Sequence, residues 1–598
     1  MTALRLFIML LSVALFAAAA EAQTRDSLIG LWGGRAASSA GLAGALTIER
    51  RGAVWNARIA GIEQSGRVRN REIRIRFPGG GSFRGKLKPD GRTLTGFWIQ
   101  PASAQFQSMA TPLSFVAAGA NAWRATVRPL DESFALYLDI FRGPDGALKA
   151  AFRNPEANFN GGAGQFSLSQ AGNALHFFAK RGNRERSVDA MLLSSPEQMR
   201  INWPGLGQTV ELTRRSRGDA FGFFARPANA SAYSYHPPEK RPDGWKVDRA
   251  SEVGIDEGAL TTLVRTVAQS DPSAPDASLI QSLLVARHGR LVFEEYFFGF
   301  DAKRPHDLRS AGKTFASVLM GTEMHRGVKI GPDMPIYAVL RSMGPFANAD
   351  PRKARITLAD LMTHTSGLAC DDNDDESPGN EQTMQAQKRQ PDWWKYTLDL
   401  PQLHDPGTRY AYCSANMNLV GAALTVVGHM WLPVMFERDV AAPLQFGRWY
   451  WDLMPNEEGY LGGGAYLLPR DFLKIGQLYL DGGVWNGRRI IDAEWTRSSP
   501  IPRIEVTPKS TGLTHEQFSN AYIRGADGLA WHQVTVTSGG RTYNGYSAGG
   551  NGGQLLLVFP ELDLTAVVTG GNYGQGGIWL RWPQRIIGDN IIPAIRDR

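Results

Sequence analysis

Cysteine is nearly absent from this chain, with 2 in 598 residues. A disulfide-dense scaffold is therefore excluded, and no paired Cys/His spacing of a zinc site is present. No His-Glu-x-x-His occurs either, so neither a metal nor a cofactor is expected. Long apolar runs are missing except for a single one at the very start, which excludes a multi-span membrane protein. The remaining composition is that of a core-forming chain, with 43% hydrophobic and 20% charged residues. At this length it predicts several folded domains rather than disorder or a collagen-like repeat.

The one apolar run follows Met1 to Arg5, covers Leu6 to Ala20 and meets Ala20-Glu21-Ala22 before Gln23. A weakly basic start, a short apolar core and a small-x-small site predict a secretory signal peptide over residues 1–22. The expected location is the periplasm or the extracellular space, an oxidising compartment in which Cys370 and Cys413 can pair.

Charge is distributed unevenly. Residues 23–230 hold 28 Lys/Arg against 15 Asp/Glu, out of totals of 65 and 57 for the chain. These cations are mostly single arginines on alternating strands, such as Arg67, Arg69, Arg71, Arg74 and Arg76, with no nucleic-acid motif among them. They read as a solvated strand face, or as a surface for an anionic cell wall or membrane. From Leu28 to about Arg217, short alternating segments separated by Gly and Asp-Gly turns predict an all-β barrel or sandwich over 23–230. Gly30-Leu-Trp32 and Asn121-Ala-Trp123 each open a stretch that runs through an apolar strand to Trp98 or Trp203, which suggests a duplicated β unit.

Residues 231–245 read as an ordered linker and 246–598 as a second, α+β domain. In it, Asp256 to Gln269 is an amphipathic helix, and strands flank His288-Gly289 and Pro560-Glu-Leu-Asp563. Strands at both ends of a helical middle predict one antiparallel sheet that joins the domain's own termini, flanked by helices.

The chemical signal is Ser310-Ala-Gly-Lys313, which opens the apolar stretch Thr314 to Met324. Residues three apart share a helix face, so hydroxyl and amine can hydrogen-bond, and burial would favour a neutral amine able to act as a base. Such a match arises by chance in a chain of this length, so its context decides. That context is a helix capped by Thr357 and stopped by Gly367 in Leu361-Met-Thr-His-Thr-Ser-Gly-Leu368, then Tyr412-Cys413-Ser414, Gly476-Gln-Leu-Tyr-Leu-Asp-Gly-Gly483, and Ala548-Gly549-Gly550-Asn551 leading into a strand.

With these motifs, residues from about 245 to 598 resemble the serine β-lactamase and penicillin-binding-protein superfamily. They are most similar to the branch of class C β-lactamases, D-alanyl-D-alanine carboxypeptidases, esterases and 6-aminohexanoate-dimer hydrolases. The resemblance implies Ser310 as nucleophile, Lys313 as its base and Tyr412 as a second proton-transfer group. The backbone N–H groups of Ser310 and Asn551 would be the oxyanion donors, and the reaction would be acyl transfer through an acyl-enzyme. Ser414, Asn416, Gly549 and Gly550 are the implied substrate contacts. Two departures matter. The family's Tyr-x-Asn is Tyr412-Cys413-Ser414 here, and Ala548-Gly549-Gly550 lacks the cation and hydroxyl that grip a carboxylate. An esterase or small-amide hydrolase is therefore expected ahead of a β-lactamase or carboxypeptidase. The alternative is a non-catalytic or weakly catalytic peptidoglycan-binding protein of the same fold.

Other features carry blander readings. Gly545-Tyr-Ser547-Ala-Gly549 imitates a nucleophile elbow, but no helix follows it and no His occurs from 548 to 598. His364 is expected to make a structural hydrogen bond, and Asp371 to Glu376 to be a solvated loop at the pocket mouth or a hard-cation site. Trp393-Trp394 belongs to the cleft or to the core. Cys370 and Cys413 are either a disulfide that pins the Tyr412 loop or two buried thiols.

Overall fold

The computed structural model describes residues 27–597, apart from 38–40, 70–71, 104–105, 132, 158–164, 182–183, 194–196, 204, 221, 228–232, 512 and 521–522. The expected signal peptide lies outside the described residues.

Residues 30–214 form two β units in which the period-two pattern sorts side chains by face. In Glu72–Phe77, Ile73, Ile75 and Phe77 face the interior while Arg74 and Arg76 face out. The first unit is a meander of seven strands from Gly44–Arg51 to Met109–Leu113, with Ala122–Val127 added beside Gly44–Arg51. Its core contains Ile48, Trp55, Ile75, Trp98 and Trp123. The second is a closed barrel from Ser133–Arg142 to Gln208–Arg214, sealed by Gly30–Ala37, which pairs with both of those strands. Its core holds Trp32 and Trp203. The two units are built alike but exchange their opening strands, so the strand of Trp32 completes the second unit and that of Trp123 the first.

The following domain is built on a nine-stranded sheet. Ile280–Arg287 lies between Arg290–Tyr296 and the near-terminal strand Leu564–Gly570, so the sheet joins the two ends of the domain. Alternate residues of Ile280–Arg287 serve opposite layers. Leu283 and Val285 pack with helix Glu257–Ala268 and the C-terminal helical segment, while Leu284 and Ala286 pack with Phe315–His325, Ser414–Val427 and Pro469–Leu480. Asp256 caps Glu257–Ala268 by accepting from Ala259 N at 2.9 Å. Thr357 caps Leu358–Met362 in a capping box with Asp360. That helix is shorter than the sequence suggests. It ends at Thr363, because His364 already takes a left-handed φ of 58°, before Gly367 at 73°.

The β units and the second domain are continuous. Met109–Leu113 pairs with Tyr450–Asp452, which pairs with Ala465–Leu467, which pairs with His306–Asp307. The strand leading to Ser310 is thus the edge of the N-terminal sheet. Strand Leu94–Gln100 is buried on both faces. Trp98 fills the β unit, whereas Phe97 and Ile99 join the core of the second domain, where Phe97 meets Trp431 edge-on at 5.3 Å.

Candidate active site

Ser310 and Lys313 lie on a tight 3-10 turn, Arg309–Thr314, at the N-terminal end of helix Phe315–His325. Residues i and i+3 eclipse in a 3-10 turn, which aligns the two side chains more directly than an α-helix would. Lys313 Nζ donates to Ser310 Oγ at 2.9 Å. The turn is held from below by glycines. A Cβ on Gly550 would sit 2.3 Å from Leu308 O and 3.0 Å from Ala311 N, so only glycine lets strand Arg541–Gly550 come this close.

Tyr412 comes from the extended stretch before helix Ser414–Val427. Its ring centroid is 5.0 Å from Lys313 Nζ, and Tyr412 lines the same cavity as Ser310. Several bonds fix this stretch. His364 Nδ1 accepts from Cys413 N at 3.1 Å, Tyr412 O accepts from Asp372 N at 2.7 Å, and Cys370 and Cys413 form a disulfide. Burial pushes the His364 pKa down to about 3, so the ring is neutral and acts as an acceptor. Asn373 to Glu376 are exposed, as expected of a solvated loop, but the half-buried Asp372 is tied inward. Its carboxylate accepts from Ser414 N and Oγ at 2.7 Å each and from Glu381 N at 2.8 Å. No group of three or more His, Cys, Asp or Glu among the described residues is placed to hold a metal ion.

A cavity of about 330 Å3 opens over Ser310. Its lining includes Tyr412, Gly549 and Asn551, together with apolar Val506, Leu513, Phe518, Trp579 and Leu580. Asn551 lines it as well, and its side-chain oxygen accepts from Gly574 N at 2.8 Å. Ser414 and Asn416 are not among the lining residues. Both are fully buried, Ser414 on Asp372 and Asn416 through the Ser366 hydroxyl at 2.9 Å. Gly550 is buried behind Gly549.

The electrostatics correct one expectation. A neutral Lys313 was expected from burial, and burial does push its pKa down, but Tyr412, Glu381 and Asp372 outweigh it and the net shift is upward. The pull of Tyr412 acts only when its phenol is ionised, so the two groups titrate together as a pair. Tyr412 is also pushed up, chiefly by burial and against the pull of Lys313.

The sequence reading missed several groups. Glu381, which accepts from the Tyr460 hydroxyl, faces Lys313. Arg309, at a φ of 49°, pairs with Asp307 at 2.7 Å and sits over Tyr573. On the cavity wall, His532 Nδ1 is 2.7 Å from Asp527 Oδ1, and Tyr410 lines the same wall. Only pairing of distant strands and loops gathers these residues, so no local motif announces them. The remaining decoys resolve by packing. Ser547 lies within strand Arg541–Gly550, fully buried, and Trp393 and Trp394 are core.

Residues 277–574 match the Beta-lactamase family model. The chain is similar to the 6-aminohexanoate-dimer hydrolase of Paenarthrobacter ureafaciens, with 23% identity over 307 residues, covering 48% of this chain and 71% of that protein. Among solved structures it is similar to a family VIII carboxylesterase, with 14% identity, a TM-score of 0.42 and coverage of 60% of this chain and 100% of that one. It is also similar to EstCE1, a hydrolase with promiscuous acyltransferase activity, with 17% identity, a TM-score of 0.41 and coverage of 54% and 98%.

Proposed function

The chain belongs, through residues 277–574, to the β-lactamase superfamily, and on that premise we propose that it is a serine hydrolase that cleaves an ester or small amide through an acyl-enzyme on Ser310. The observation that carries this reading is the 2.9 Å bond from Lys313 Nζ to Ser310 Oγ at the base of a cavity that Tyr412 and Asn551 also line. Ser310 Oγ attacks the acyl carbonyl carbon, and its proton passes to the Lys313/Tyr412 pair once that pair has lost one proton to solvent. The backbone N–H groups of Ser310 and Asn551 stabilise the oxyanion, and the pair returns the proton to the leaving group. Water then hydrolyses the acyl-enzyme.

The largely apolar lining favours an uncharged acyl group. Ala548-Gly549-Gly550 offers no side chain to grip a carboxylate, which favours an esterase over a β-lactamase or carboxypeptidase. Export remains part of the proposal, supported by the sequence of residues 1–22 and by the disulfide. Attraction of the arginine-rich β units to an anionic wall or membrane is also proposed, carried by their excess of cations.

The test is hydrolysis of a short-chain p-nitrophenyl ester by the mature protein, with mass spectrometry for an acyl adduct. Wild type should turn over and carry the adduct on Ser310, and Ser310→Ala should lose both. Equal inertness of the two proteins, with no probe marking Ser310, would sink the reading and favour a binding protein of the same fold.

A further inference from the structure

The proposed reaction has two halves, and each needs a base, one for the Ser310 hydroxyl and one for the water that ends the cycle. Lys313 and Tyr412 lie against Ser310. The same cavity carries a second proton-handling unit that the superfamily motifs do not include.

His532 opens strand His532–Ser538 and pairs across to Ser547, two residues before Gly549 on the strand that leads to Asn551. It therefore stands beside the proposed oxyanion site. Asp527, on the neighbouring strand, is 3% exposed and accepts at 2.7 Å from Nδ1. A buried carboxylate at Nδ1 fixes the tautomer that carries its proton there, which leaves Nε2 as the basic nitrogen. Nε2 makes no hydrogen bond among the described residues, and the ring lines the cavity with Ser310. Tyr410 lines the cavity beside this pair. A space of about 330 Å3 holds an acyl group and attacking water together, since a water occupies about 30 Å3.

Resting on the acyl-enzyme reading, we propose that His532, oriented by Asp527, is the general base that activates water to hydrolyse the acyl-enzyme. Water oxygen bonds to the acyl carbon while one of its protons moves to Nε2. The Ser310 Oγ–carbon bond then breaks, and Oγ recovers the proton that Nε2 passes back through solvent. The Lys313/Tyr412 pair stays one proton short for the next acylation, and the product leaves as the acid. The charged and titratable groups facing the imidazole are Asp527 on its own sheet, Lys313 from the nucleophile turn, and His364 with Tyr410 and Tyr412 from the loops. Burial lowers the imidazole pKa and Lys313 repels its charged form, but Asp527 outweighs both and the net shift is upward from 6.5. The base form thus appears as pH rises through a value above 6.5.

The experiment compares wild type, His532→Gln, Asp527→Asn and Ser310→Ala on a p-nitrophenyl ester. Enzyme in excess reads acylation, and substrate in excess reads turnover. His532→Gln should acylate within about threefold of wild type, lose about 100-fold in turnover and accumulate the Ser310 adduct. Hydroxylamine, which attacks acyl groups without a strong base, should restore its turnover. Asp527→Asn should move the acid limb of the deacylation profile to lower pH. Unchanged turnover in His532→Gln, or acylation and turnover falling in equal proportion, would overturn this inference and leave the acyl-enzyme intact. A wild type with no Ser310-dependent acylation would overturn the acyl-enzyme reading itself, and this inference with it.

Discussion

Lys313 shows how a residue's surroundings reverse what its burial implies. Burial alone favours a neutral amine, yet Tyr412, Glu381 and Asp372 raise its pKa. A base with a raised pKa is scarce at neutral pH and gains its active form as pH rises. With a p-nitrophenyl ester, kcat/KM of acylation should therefore climb about tenfold per pH unit from neutral into the alkaline range, because one proton must leave the Lys313/Tyr412 pair. Replacing Glu381 by Gln removes one support of the ammonium and should shift that limb to lower pH. A stopped-flow pH profile of both proteins checks the direction. Ser310 and Lys313 were legible as a motif, and Tyr412 through its family context. Glu381 was not, since it reaches Lys313 only through the fold of the loop after Cys370.

At the scale of elements, the stretch carrying Tyr412 has little regular structure and depends on its fastenings. The Cys370–Cys413 bridge spans 43 residues, and closing a loop of that size stabilises by about 4 kcal/mol in the chain-entropy description. Cys370→Ser with Cys413→Ser should lower the midpoint of thermal unfolding and reduce acylation, since Tyr412 adjoins Cys413. Differential scanning calorimetry with and without reductant, beside the ester assay, measures both effects. Helices and strands of this domain were readable from periodicity and caps, as with Asp256 before Glu257–Ala268. The early end of the Thr357-capped helix was not, because no local rule places a His at a φ of 58°, and its side-chain bond to Cys413 comes from 49 residues further along the chain.

At the scale of the molecule, the basic β units form one body with the hydrolase domain. Arg74 and Arg76 ion-pair with Glu457 across the boundary at 3.2 and 2.9 Å, and Arg84 stacks over Trp431 at 4.0 Å. Arg74 and Arg76 stay exposed, as expected of a solvated strand face, while their guanidinium groups also reach across the boundary, and only Arg84 is largely covered. Phe97 and Ile99 complete the core of the domain that carries Ser310. Calorimetry should show a single cooperative transition for the whole protein, and Phe97→Ala should destabilise it by about 3–5 kcal/mol. Two separate transitions, with only the first shifted by Phe97→Ala, would show instead that the units fold independently.

The sequence by itself determined the β-then-α+β order, the sheet that joins the ends of the second domain, and the Ser310–Lys313 pair, because periodicity, caps and a three-residue spacing are local properties of the chain. Tertiary structure decided the strand exchange between the two β units, the charged groups gathered around Lys313, the burial of Ser414 and Asn416, and the arrival of His532 and Asp527 at the cavity. Each of these depends on groups far apart in the chain, and pKa values, burial and strand partners are set by what lies nearby in space.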